Sequence, residues 1–248
     1  MKLHVFDNPE ILSENLAEWI CTLVQKTLKQ QQSFSLVLSG GSTPKILYEK
    51  LASEKYKGRI EWERLRIFWG DERVVPFADN RNNAKMAFDT LLNKVNVPAS
   101  QVHIMRTDIE PNFSVAEYRE MLHTYFDSTH HSFDLVLLGM GDDGHTLSLF
   151  PGSPIIDDNY HWVNSVFNEQ QEMYRITLMP ALVNKAKKII FMVDGEKKAK
   201  TLEKVLEGPH RPQQLPAQLI QPASGELHWF LDKAAAKNLH NIPEQSPR

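Results

Sequence analysis

The chain has 248 residues, 42% hydrophobic and 24% charged, and its 28 Lys and Arg against 31 Asp and Glu leave a net charge of -3. That length accommodates a single large α/β unit with a substantial core, and near-neutrality excludes the broad basic face that wraps nucleic acid or coats an anionic membrane. One cysteine, Cys21, excludes an internal disulfide framework and a Cys-cluster zinc site. The opening MKLHVFDNPEIL has no apolar signal-peptide core and no apolar run approaches a membrane span, so a cytoplasmic protein is expected.

In chain order, residues 11–29 place Leu12, Leu16, Trp19, Ile20, Leu23, Val24 and Leu28 along one helical face. Residues 34–38 and 65–69 are short apolar runs of the kind found in strands buried on both faces. Residues 112–125 form a second amphipathic helix through Val115, Tyr118, Met121, Leu122 and Tyr125. Residues 133–138 and 188–193 are again buried strands, and a Pro-containing connection over 208–222 precedes a strand at 227–231 and a helix at 233–239. The polar tail 241–248, with two prolines, is expected to fray. Alternation of strands and helices without internal repeat predicts one α/β domain built on a largely parallel sheet.

Ligands of open α/β sheets gather outside the carboxyl ends of the strands, and three segments there hold unusual residues. The first is Ser39-Gly40-Gly41-Ser42-Thr43-Pro44. Its glycines permit close backbone approach, Ser42 or Thr43 can cap the next helix, and the free amides of a helix start form an anion cradle. It lacks the Lys and the spacing of a P-loop, and an ordinary strand–turn–helix junction uses the same residues. The second is Gly70-Asp71-Glu72-Arg73-Val74-Val75-Pro76, where two carboxylates and a guanidinium either orient a polyol and grip a phosphate or form a solvated ion-pair cluster.

The third is Leu138-Gly139-Met140-Gly141-Asp142-Asp143-Gly144-His145-Thr146. It matches G-x-G-x-x-G as a string, but two aspartates inside the turn repel a pyrophosphate, and Pro151 leaves no room for a long helix. A glycine-held turn presenting Asp143 and His145 remains. Imidazole suits a general base near neutrality, and a neighbouring carboxylate tunes it. There is no H-E-x-x-H and no G-x-S-x-G elbow, His130 and His131 fall on a polar turn, and Cys21 lies within the first helix, where packing explains it.

The ordered set of motifs resembles the 6-phosphogluconolactonase family. It comprises Leu38 to Pro44, Asp71-Glu72-Arg73-Val74-Val75-Pro76, Gly139 to Thr146 ending in Ser148-Leu149-Phe150-Pro151, Arg175-Ile176-Thr177-Leu178, Gly195-Glu196-Lys197-Lys198-Ala199, Leu215-Pro216-Ala217 and Trp229-Phe230-Leu231-Asp232. The resemblance implies a single lactonase domain over residues 1–240 with the α/β/α, modified Rossmann-like sandwich of sugar-phosphate isomerases. It implies cytosolic hydrolysis of 6-phospho-D-glucono-1,5-lactone in the pentose phosphate pathway by a monomer or homodimer, without cofactor or metal. Carried over by position, His145 is the base that activates water, with Asp143 beside it. Arg73, Arg175 and Lys198 surround the substrate phosphate, Gly40, Gly41, Ser42 and Thr43 form the loop beneath it, and Asp71 faces the sugar.

Two positions depart from the family pattern: Leu147 stands where a small residue is commoner, and Asn82 where a serine usually precedes the asparagine matched by Asn83. A glucosamine-6-phosphate deaminase looks similar in these loops, but that family carries a glutamate where this chain has Phe150, and usually an aromatic residue where it has Arg73. A non-catalytic sugar-phosphate sensor would need the cations and not His145.

Overall fold

The computed structural model describes residues 1–241; positions 242–248 of the segment expected to fray lie outside the described residues. The chain begins with β1 (Lys2–Phe6) and α1 (Pro9–Leu28). Asn8 caps α1 by accepting the Ile11 N–H at 2.9 Å, and Pro9 takes the first position, where the helix needs no N–H. Next come β2 (Phe34–Leu38), α2 (Ser42–Leu51), β3 (Leu65–Trp69), β4 (Asp71–Arg73) and α3 (Asn83–Thr90). They are followed by β5 (Val102–His103), α4 (Pro111–Phe126), β6 (Leu135–Gly139), β7 (Val163–Asn168) and β8 (Met173–Leu178). The last elements are α5 (Pro180–Val183), β9 (Lys188–Val193), α6 (Ala199–Leu206), β10 (Glu226–Asp232) and α7 (Lys233–Ala236).

Seven strands form one sheet in the order β1-β10-β9-β6-β2-β3-β5, and every pairing in it is parallel. The central strands are mostly apolar because both faces are covered, with polar residues such as Ser35 and Arg66 near their amino ends. Leu36 and Ile67 pack with Leu12, Leu16 and Ile20 of α1 and Leu47 of α2 on one side. Their neighbours Val37 and Phe68 pack with Leu122 of α4 and Leu202 of α6 on the other. The strand period of two thus feeds two cores, each fully buried aliphatic or aromatic side chain contributing about 1.5–3 kcal/mol. This is the expected three-layer α/β/α, Rossmann-like sandwich. Among the described residues, no helix is long and apolar enough to cross a membrane.

Two features were not legible beforehand. β1 pairs along one edge of β10, and a second, antiparallel sheet of three strands, β4-β8-β7, stands beside the main one. Polar residues interrupt each of these strands, so their extended form depends on a partner across the ladder rather than on a local pattern. The last helix is also shorter than expected, ending at Ala236.

From β2 the chain moves outward through β3 to β5, then returns to β6 and proceeds the other way through β9 and β10. The strand order therefore reverses between β2 and β6. Loops leaving the carboxyl ends of those two strands diverge, and the crevice between them is where such sheets take ligands.

Candidate active site

The loop after β2 turns at Gly41, whose φ of +112° is accessible to glycine and strained for any residue with a side chain. Gly41 is the N-cap of α2 and supplies no side-chain cap, which corrects the expectation that Ser42 or Thr43 plays that part. Both lie inside the first turn, and the first helical bond runs from the Lys45 N–H to the Gly41 carbonyl at 3.2 Å. The N–H groups of Ser42 and Thr43 therefore stay unused at the positive end of the helix. The Thr43 hydroxyl donates to the Asp194 carboxylate, which leaves its backbone amide as the donor for an anion. Tyr48 fixes the start of the loop: its hydroxyl accepts from the Ser39 N–H and donates to the Ser39 carbonyl, each at 2.8 Å.

The loop after β6 is a tight turn closed by the Gly144 N–H on the Gly141 carbonyl at 3.1 Å and the Gly141 N–H on the His145 carbonyl at 2.9 Å. His145 Nδ1 lies 2.6 Å from Asp143 Oδ1, which also accepts the His145 backbone N–H at 3.0 Å. A carboxylate only accepts, so Nδ1 carries the proton, and in the neutral ring Nε2 is the free lone pair. Burial pushes the Asp143 carboxyl upward, but the His145 hydrogen bonds and charge outweigh it and hold the group below its ordinary value. The His145–Asp143 pairing needs glycine at 141 because a Cβ there would sit 2.1 Å from His145 Nδ1.

Asp71, Glu72 and Arg73 make up β4 and are not a solvated cluster. Asp71 and Arg175 form a salt bridge of 2.7 Å with side chains 7% and 4% exposed, and Ser148 donates to the same Asp71 oxygen at 2.7 Å. Burial opposes the Asp71 charge, yet Arg175, Arg73 and Ser148 keep the carboxyl below its usual range. Glu72 points the other way and accepts N–H groups of Arg73, Asn83 and Ala84 at 2.7–2.8 Å, fixing the start of α3. Burial nevertheless pushes its carboxyl up to about 7.

Arg73 faces Arg175 directly across the β4–β8 ladder. Burial, together with that like charge, lowers the Arg73 pKa. Arg73 donates one hydrogen bond, to the Arg81 carbonyl at 2.7 Å, and its Nε has no acceptor among the described residues; nor has that of Arg175. Lys198 follows the left-handed Gly195 (φ +91°) at the entrance to α6 and forms no ion pair with a described residue. Opposed cations with unused donors make a site suited to an anion.

These loops close around a cavity of ≈180 Å³ at the carboxyl ends of the parallel strands. Gly40, Gly41, Ser42, Thr43, Asp71, Arg73, His145, Arg175 and Lys198 all line it, and Asp143 stands behind His145. Arg175 does so as the partner of Asp71 rather than as a free cation. Sequence reasoning had assigned no role to Asn83, whose amide donates to the Asp71 carbonyl at 2.9 Å, or to Leu147, which enters the wall at φ +56°. The unusual identity at 147, and the family asparagine matched by Asn83, were the available signals. Phe150 lies against the His145 turn, 4.9 Å from the His145 ring, with the Arg175 guanidinium 5.7 Å from its own ring centre.

Residues 7–229 match the model of the glucosamine-6-phosphate isomerase/6-phosphogluconolactonase family. The chain belongs to that family. It is 37% identical over 242 residues to a 6-phosphogluconolactonase of Synechocystis, an alignment covering 96% of this chain and 98% of the relative. The solved 6-phosphogluconolactonase of Trypanosoma brucei superposes with a TM-score of 0.84 at 29% identity, over 96% of this chain and 98% of the other. A monomeric glucosamine-6-phosphate deaminase shares the fold at a TM-score of 0.83, over 96% of this chain and 100% of the other, with 19% identity. The lactonases and the deaminase thus share one scaffold.

Proposed function

We propose that this protein is a 6-phosphogluconolactonase, hydrolysing 6-phospho-D-glucono-1,5-lactone to 6-phospho-D-gluconate, as one domain over residues 1–240. The observation that carries the reading is a His145–Asp143 pair opening onto the same small cavity as the α2 amino end, Arg73 and Lys198. A phosphate at the cations and helix terminus anchors the substrate, and that binding energy holds the lactone carbonyl against a water. His145 Nε2 takes a proton from the water as its oxygen bonds to C1. The ring oxygen then leaves C1 and receives that proton, giving a carboxylic acid, which ionises, and a hydroxyl. Asp143 stabilises the imidazolium formed in between. A δ-lactone is already activated, so the reading needs no covalent nucleophile.

Arg73 and Lys198 are assigned to the phosphate, with the Ser42 and Thr43 amides and the glycines beneath it. Asp71 is assigned to the sugar side and Arg175 to holding Asp71. Phe150 favours this reading over deamination, because it puts an aromatic ring beside His145 where ring opening of an amino sugar would use a carboxylate. A cytoplasmic setting is assigned together with the activity; Cys21 is free and buried within α1.

The test is hydrolysis of freshly prepared lactone, followed as proton release above background. His145→Ala lowers kcat by about 10²–10⁴-fold with the fold intact. Lys198→Met and Arg73→Met chiefly raise KM. Undiminished turnover in His145→Ala refutes the assignment, and ammonia released from glucosamine 6-phosphate would transfer the site to the deaminases.

A further inference from the structure

At the opposite, amino ends of the parallel strands lies a second cavity, ≈370 Å³ in volume, bordered by Ser35, Arg66, Tyr125, His131, Asp134 and Lys187 among others. The charges on one side of it are internally satisfied. Asp134 Oδ2 accepts the Ser35 N–H at 2.8 Å and its hydroxyl at 3.0 Å, while Oδ1 pairs with Lys187 at 2.8 Å. Lys187 donates further to Gln31 at 3.0 Å.

Arg66 is different. Its guanidinium rests 4.9 Å from the centre of the Tyr125 ring and has no hydrogen bond or ion pair to any described residue. Two residues earlier, Arg64 donates to the carbonyls of Leu28, Gln31 and Gln32 and pairs with Glu61 at 3.0 Å. The stack fixes the plane of the Arg66 fork while leaving its N–H edge unused, the preorganisation that favours two-oxygen recognition. His131 lines the same cavity, and its Nδ1, shielded from solvent, has no partner among the described residues. The uncompensated charge is felt locally: burial, with help from Arg66, depresses the pKa of His103, whose Nε2 meets the Tyr125 hydroxyl at 3.0 Å.

We infer that this cavity is a second ligand site for a small molecule bearing a phosphate or carboxylate, its oxyanion on the Arg66 fork and a further polar group at His131. The volume suits a small metabolite. The site shares no lining residue with the first cavity, so its occupancy does not depend on the proposed reaction.

The experiment titrates pyrophosphate and, separately, citrate into protein with ¹⁵N-labelled histidine. The Arg73→Met/Lys198→Met background keeps the first cavity from competing. Saturable shifts of the His131 and His103 ring signals, with the His103 titration moving upward as Arg66 gains a counterion, are expected. Pyrophosphate alone producing them assigns a phosphate ligand; citrate alone assigns a carboxylate. Arg66→Met, which preserves packing on Tyr125, weakens the response at least 10-fold by loss of a bidentate charged contact. His131→Ala, read at His103, serves if Arg66→Met fails to fold. No saturable shift up to about 10 mM of either probe, a range reaching well past millimolar affinity, overturns the inference. So does equal affinity in both variants.

Discussion

Asp71→Asn removes one charge from a pair that is almost wholly buried, while its shape is retained. Two unit charges about 4 Å apart attract by about 4 kcal/mol at an effective dielectric of about 20. Removing the charge also leaves Arg175, which is 4% exposed, without a counterion and with neutral acceptors only, the new carboxamide oxygen and Gln171 at 2.8 Å among the described residues. The opposed Arg73 then repels it without a carboxylate between them. Breaking such a pair costs about 3–5 kcal/mol. With a urea m-value of about 3 kcal/mol/M, the unfolding midpoint falls by about 1–1.7 M.

Arg175→Met is the second arm, and the double variant closes the cycle. Because the cations hold the Asp71 carboxyl below its unfolded value of about 3.9, the pair is fully formed at pH 7. Its stabilisation is present above that unfolded value and is lost as pH falls through the folded one. The double variant is expected to lose at least about 2 kcal/mol less than the sum of the singles at pH 7. A midpoint shift under about 0.3 M for Asp71→Asn, or losses additive within about 0.5 kcal/mol, would refute the argument that Arg175 is held by Asp71.

Three further outcomes follow from the same geometry. In Gly141→Ala the new methyl displaces the His145 ring from Asp143, so kcat falls by about 10²-fold while circular dichroism stays native; unchanged turnover would show that the pairing is dispensable. Glu72→Gln puts an amide where three backbone N–H groups need acceptors, costing about 1–3 kcal/mol and speeding hydrogen exchange at the start of α3. His228 is buried between His4, 3.1 Å away, and Glu226, 3.2 Å away, and burial with the nearby His4 and Lys2 charges lowers its pKa to about 4. The unfolded state therefore takes up a proton first: about 3 kcal/mol of stability, present above pH ~6.5, drains away as pH falls toward 4. Urea midpoints for wild type and His228→Phe should differ most in that slope, and parallel pH profiles would exclude the effect.

The sequence alone determined the interior of the main sheet, though not its edge strands β1 and β5. The runs at 34–38, 65–69 and 188–193 are strands with those bounds because a strand buried on both faces tolerates almost nothing polar, and such runs are visible without a partner. It also located the glycine-held turns, since a left-handed residue such as Gly41, or a backbone beneath an imidazole such as Gly141, restricts the choice to glycine locally. Asp143 lies two residues from His145, so their pairing was within reach of local reasoning too.

What remained hidden was every relationship spanning long separations. Asp71 and Arg175 are 104 residues apart, and only the β4–β8 ladder makes one the counterion of the other. The Asp71-Glu72-Arg73 string looked equally like a solvated cluster because burial is a property of the packed molecule. The small sheet itself was invisible for the same reason, its strands being polar enough to exist only once paired. The tertiary structure also decided which cations are committed: it gives Arg175 a carboxylate, leaves Arg73 with unused donors, and sets Arg66 against an aromatic face with none. Electrostatic complementarity depends on distances through space, and a residue list carries identities without those distances.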